Sequence, residues 1–216
     1  MDAAVLETLR WAALVAGALL TTLFEIRQRH RLTARLRHIT MRERWLAAIT
    51  ARPGQEIVAV QTIRNSLMAA TIVASTTVIA LMGTISLIGP IAFRVVLHVP
   101  GSGAEEAVHP IRLTVGALLI VVLFAAFLFA TQSSRFYNHL SYLVGFGPAA
   151  TDDDRATARR YVALAGRYYS DSLRTLIHLA PLIAALLEPL AALPGAFAVM
   201  AVLTWFDQRS PGTETA

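Results

Sequence analysis

The chain reads as all-α and integral to the membrane, with four transmembrane helices joined by short amphipathic cytoplasmic helices. Three observations predict this. The stretch Ile57 to Gly89, IVAVQTIRNSLMAATIVASTTVIALMGTISLIG, carries no charge after Arg64, and an α-helix needs only about 20 such residues to cross a bilayer. Three more runs share its character: Trp11 to Ile26, Leu113 to Thr131 and Leu173 to Phe206. Charged residues make up 15% of the 216 residues and hydrophobic ones 56%, whereas soluble domains carry about 25% charge.

Composition also narrows the chemistry. There are no cysteines, which excludes disulfides, thiolate catalysis and cysteine metal sites. Every basic residue is arginine, and the net charge is +5. In a membrane protein such basicity marks the cytoplasmic face, so nucleic acid is not an expected partner. Anionic lipid headgroups are.

The first span covers about residues 9–26, and its helix is expected to begin before Trp11. The leader MDAAVLETLR lacks the basic start of a signal peptide. Glu25 lies at the inner end, where a cation can meet it. Residues 27–62 form a basic connector. Within it QRHRLTARLRHI sets Leu32, Leu36 and Ile39 at helical spacing among arginines, the pattern of a surface helix. Thr40-Met-Arg-Glu43 has the form of a capping box and predicts the start of a second short helix. That helix ends near Arg52-Pro53-Gly54, with Trp45 beside Arg44 in the headgroup layer.

The second span covers about residues 63–89 and is expected to break at Gly89-Pro90. Residues 91–111 then form an external connector, in which Glu105 and His109 read as solvated loop residues. The third span, about residues 112–132, continues as a helix to Gly145. Residues 133–172 form the second cytoplasmic connector. There Thr151-Asp-Asp-Asp154 caps a helix with acids in its first turn, and Tyr161, Leu164, Tyr168 and Tyr169 are expected to face the membrane. The last region, about residues 173–205, is interrupted by Pro181, Pro189 and Pro194 and is read as one bent fourth span. The whole chain, 1–216, is taken as a single membrane domain.

Arginine placement predicts orientation. Fourteen arginines fall in or beside the two basic connectors, against Arg10, Arg94, Arg112 and Arg209 on the other side, with Arg174 at the boundary. By the positive-inside rule the basic connectors are cytoplasmic, in an inner or plasma membrane. Four spans put both termini outside, whereas a hairpin in the last region would put the C-terminus inside.

Polar residues in the spans are costly and point to function. Arg64, Met68, Thr71 and Ser75 follow one side of span two, with Gln61 and Asn65 beside them. Ser66, Ala70 and Ala74 occupy another face in a small-xxx-small pattern suited to close helix packing. Arg135, Asn138 and His139 share a face just below span three. At one expected depth, Gln61, Arg64, Asn65, Arg135, Asn138, His139 and Glu25 form a polar cluster, either a site for an anion or headgroup or an ion-pair network between spans. His178 reads as a hydrogen-bonded core residue, and Glu188 is the one acid deep in an apolar run.

The segments RERWLAAI and EIVAVQTIRNSLMAATIVAS resemble a domain-of-unknown-function family of four-span membrane proteins found in bacteria and plants. In that family an Arg–Trp pair precedes an AVQT-hydrophobic-RN signature, here Arg44, Trp45, Ala59, Val60, Gln61, Thr62, Arg64, Asn65 and Met68. SSRFYNHLSYL is similar to its second motif through Arg135, Phe136 and Asn138, and RTLIHLAPLIAALLEP to its third through Arg174, Pro181, Leu182 and Pro189. Glu188 and Ala185 depart from it, standing where the family tends to have glycine and tryptophan. The resemblance implies four spans and no assigned activity.

No nucleophile–base pair, phosphate loop or carboxylate dyad appears, so neither enzyme activity, a metal nor a cofactor is expected. Two roles remain. One is a homo-oligomeric pore or transporter for an ion or small solute. The other is a non-conducting interaction or assembly factor that uses its basic cytoplasmic face.

Overall fold

The structure, a computed structural model, describes residues 2–30, 32–96 and 110–208, with side chains over 2–28, 39–93 and 110–205. Seven α-helices and no strands occur among the described residues: α1 (Ala3–His30), α2 (Leu32–Thr50), α3 (Glu56–Val96), α4 (Pro110–Gly145), α5 (Asp152–Ile177), α6 (Leu179–Leu187) and α7 (Ala192–Gln208). Four runs are long and apolar enough to cross a membrane: Ala3–Gln28, Glu56–Phe93, Pro110–Gly145 and Asp152–Leu187. The protein is therefore a multi-pass membrane protein. The chain folds into two compact units, the first of residues 1–31, 79–124 and 175–216, the second of 32–78 and 125–174.

The second unit is built on the pairing of α4 with α5. The connector is short, a 3-10 turn over Gly147–Ala149, and so it lays the two helices antiparallel. Thr151 then caps α5 reciprocally. Its Oγ1 accepts from the Asp154 N–H at 3.2 Å, and Asp154 Oδ2 accepts from the Thr151 N–H at 2.9 Å. Along the pair, Tyr137, Leu140 and Val144 meet Ala158, Val162 and Ala165. Two buried hydroxyls cross between the helices: Ser133 Oγ donates to the Ala165 carbonyl at 2.8 Å and Ser172 Oγ to the Ala126 carbonyl at 2.9 Å. Lipid tails give helices no hydrophobic reason to associate, so such bonds and small-residue contacts hold them.

α3 joins this unit by the small-residue face expected of it. Ala59, Ile63, Ala70 and Ala74 are buried, and Ser66 hydrogen-bonds Tyr137. α2 adds Leu46 to the core, with Trp45 and Ile49 packed against it, and it ends in a turn where Gly54 takes a positive φ of 81°.

Several expectations change. α2 runs unbroken through Thr40, so Thr40–Glu43 does not start a helix. No Gly or Pro stands nearby to stop one. Trp45 packs inward while Arg44 stays exposed, because a large ring gains more from the core than from headgroups. The tyrosines of α5 face α4 instead of lipid: Tyr168 stacks on Phe136 at 5.7 Å and on Phe129 at 6.3 Å, and Tyr161 lies 5.5 Å from Phe136. α3 continues through Gly89-Pro90 to Val96, since a transmembrane helix can absorb one lost N–H. The side chains of Leu32 and Leu36, and all of Glu105 and His109, lie outside the described residues.

The largest difference is in the last region. Pro181 has no N–H to give the Ile177 carbonyl, and the helix tightens at His178, whose N–H bonds Thr175 instead at 3.2 Å. The chain then reverses at Glu188, which is extended (φ −144°, ψ 114°) as a residue before proline prefers to be. α7 folds back antiparallel along α6, and α1 packs on α7. A Cβ on Gly195 would stand 3.0 Å from Pro181 Cα. The region is thus a helical hairpin and not one bent span.

This close approach predicts that Gly195→Val opens the α6–α7 hairpin at a cost of about 1–3 kcal/mol. Thermal unfolding in detergent measures it. Gly83→Ala, where a Cβ meets nothing within 4 Å, is the control and should not destabilise.

Candidate functional site

Two polar features stand out, one in each unit. In the second unit Gln61, Arg64 and Asn65 are exposed on the face of α3 opposite its packed alanines, and Met68, Thr71 and Ser75 continue the line. Helical geometry requires this, because residues 59, 63, 70 and 74 already face inward. Thr71 is satisfied by its own helix, donating to the Leu67 carbonyl at 2.9 Å. Arg135, Asn138 and His139 are likewise exposed, on α4. His139 rests 6.1 Å from the Tyr161 ring.

Glu25, the remaining member of the expected cluster, belongs to the first unit and pairs with His178. Glu25 Oε1 and His178 Nε2 are 3.2 Å apart, and each side chain is only 18% exposed. His178 Nδ1 is buried with no hydrogen-bond partner. The contact ties the His178 ring to the Glu25 carboxylate through Nε2. His178 is held here by the tightened turn before Pro181.

At the other end of α6, Arg10 grips Glu188 with two contacts, Nε to Oε1 at 3.3 Å and Nη2 to Oε2 at 3.4 Å. The fork joins the start of α1 to the chain reversal. Both pairs run α1 antiparallel to α6, since 10 meets 188 and 25 meets 178. Neither pairing follows from the sequence pattern. The available signal for the first pair was depth, since Glu25 and His178 were expected at the same end of their spans; Glu188, deep in an apolar run, gave none.

Between the two pairs the first unit has a half-open cavity of about 300 Å³, with Leu14, Gly17, Ala18, Leu118, Val122 and Leu182 among its walls and Glu25 and His178 in its lining. A larger cavity of about 570 Å³ lies in the second unit between the end of α2 and the start of α5. Among the charges lining it, Asp152 lies 3.6 Å from Arg155, Asp154 caps α5, and Arg159 is exposed. The hydrogen bonds from Thr151 hold the Asp154 carboxyl below its usual range. No group of three or more metal-ligating side chains is gathered among the described residues.

Residues 9–211 match the family described as "Protein of unknown function, DUF599". No curated protein and no solved structure matches the chain.

The Glu25–His178 geometry predicts energetic coupling. In a double-mutant cycle with Glu25→Gln and His178→Ala, the coupling should be about 0.5–3 kcal/mol in unfolding free energy, and additivity would mean the contact carries nothing.

Proposed function

Because the chain belongs to the DUF599 family, whose description assigns no activity, we propose its role from its own residues: a homo-oligomeric membrane assembly whose neighbouring copies cover the polar face of α3 and form a path for an ion or small solute. The observation that carries this reading is the outward line Gln61, Arg64, Asn65, Met68, Thr71 and Ser75 on a helix long enough to cross a bilayer. Polar groups at membrane depth sit against protein or water and not lipid. Arg135, Asn138 and His139 are exposed on α4 of the same unit, and exposed arginines such as Arg64 and Arg135 favour anions or phosphate-bearing groups.

The orientation we propose follows the arginines: the basic connectors face the cytoplasm of a cell membrane. α7 returns parallel to α1, so its end lies on the same side as the end of α1. The C-terminus is then cytoplasmic and the N-terminus external.

A second reading is favoured by the exposed Arg155, Arg159, Arg160 and Arg167 on α5. In it the protein conducts nothing and uses this basic face to bind anionic headgroups or another protein. Neither reading involves catalysis, a cofactor or nucleic acid.

Substituted-cysteine labelling separates them, helped by the absence of native cysteine. Ser75→Cys should react with a charged, membrane-impermeant thiol reagent, and Val121→Cys, an exposed apolar position on α4, should not. Ala47→Cys on α2 should react only in inverted vesicles if the orientation holds. Protection of Ser75→Cys equal to that of Val121→Cys would leave the second reading.

A further inference from the structure

We propose that the path along α3 selects small inorganic anions over cations, with Arg64 of each copy setting the sign of its inner mouth. This names the substrate class of the role proposed for α3 and rests on that role.

The selection follows from where the charges of α3 and α4 lie. Beyond Glu56, α3 contains no aspartate or glutamate, and α4 contains none at all. Glu56 itself is turned away from the polar line. Its side chain lies over Gly147, where an added Cβ would stand 3.1 Å from Glu56 Cγ and Oε1, and it shares the inward side of the helix with Ala59 and Ile63. Arg64, by contrast, is exposed on the outward line, and it is the last ionisable residue before an uncharged run from Asn65 to Phe93. Elsewhere in the unit, Asp171 is buried 4.0 Å from Arg167, and the three acids that open α5 are followed by Arg155, Arg159 and Arg160 in the next two turns.

A closed homo-oligomer repeats each residue at one height around its axis. Arg64 then becomes a ring of guanidiniums, always charged and rich in N–H donors. Such a ring concentrates anions and repels cations at the entrance to a pore. Gln61 and Asn65, within one turn of it, add amide donors. Met68, Thr71 and Ser75 further along carry no charge, so nothing on the line reverses the sign.

The test fuses the purified full chain into planar bilayers of neutral phosphatidylcholine, whose surface adds no selectivity, and reads the reversal potential across a roughly tenfold KCl gradient. Chloride should permeate about tenfold or more better than potassium. Arg64→Gln should bring that ratio close to one and Arg64→Glu should invert it, whereas Glu56→Gln should leave it unchanged. Potassium passing as readily as chloride overturns the anion selection and leaves the path standing, as does a ratio retained in Arg64→Gln or moved equally by Glu56→Gln. A protein that carries no current overturns the path, and this inference with it. Native mass spectrometry checks that each variant assembles. If the Arg64 variants do not, Asn65→Asp, which sets a carboxylate beside Arg64, should lower the ratio several-fold, and an unchanged ratio overturns the proposal.

Discussion

Every backbone N–H and C=O that enters lipid must find its partner inside the protein, and the rest of this structure depends on that. It explains why the described chain is helical almost throughout and why α3 and α4 run for 41 and 36 residues. It explains the hydroxyl pattern too. Thr21, Thr71, Thr77 and Thr84 each donate to a carbonyl of the preceding turn, so many side chains that look polar in the sequence present little unmet polarity. The groups that cannot satisfy themselves this way are the long ones: Arg64, Gln61, Asn65, Glu25, His178, Arg10 and Glu188. Their fates organise the molecule.

Four of those seven are paired within the first unit. Arg10–Glu188 and Glu25–His178 lie at opposite ends of α6, and together they fix the direction of α1 beside it. Between them backbones approach closely at two points beside the cavity, Gly17 to Ala192 and Gly195 to Pro181. A glycine or alanine at each crossing lets backbones approach, and the charged pairs clamp the ends. The second unit solves the same problem differently. It buries two serine hydroxyls across α4 and α5 and stacks aromatic rings beside them, with Arg64, Arg135, Arg155, Arg159, Arg160 and Arg167 exposed. The polar line of α3 is what remains, and another copy of the chain is the cover we propose for it.

The sequence was informative wherever a single helix decides the outcome. The apolar runs, the extension of the third span to Gly145, the cap at Thr151–Asp154 and the packing face through Ala70 and Ala74 all follow from composition or from 3.6-residue spacing. It was less informative where one residue type has two physical readings. Pro90 and Pro189 look alike in sequence, yet the helix continues through the first and reverses at the second. At the second, Glu188 is extended and meets Arg10, 178 residues away. Thr40–Glu43 has the same form as Thr151–Asp154, but only the latter follows a Gly-Pro turn that ends the preceding helix. Partners such as Glu25 and His178, 153 residues apart, are invisible to local spacing, and shared depth was the one hint. For that reason a seven-residue cluster was expected where the structure pairs Glu25 within the first unit.

The account rests most heavily on the claim that the polar face of α3 is covered by other copies of the chain. The mass of the particle in lipid nanodiscs, by native mass spectrometry, tests this most directly. The account predicts a closed homo-oligomer at a fixed multiple of the 23.4 kDa chain, large enough for several α3 helices to surround a shared axis. A uniform population of single chains would contradict it.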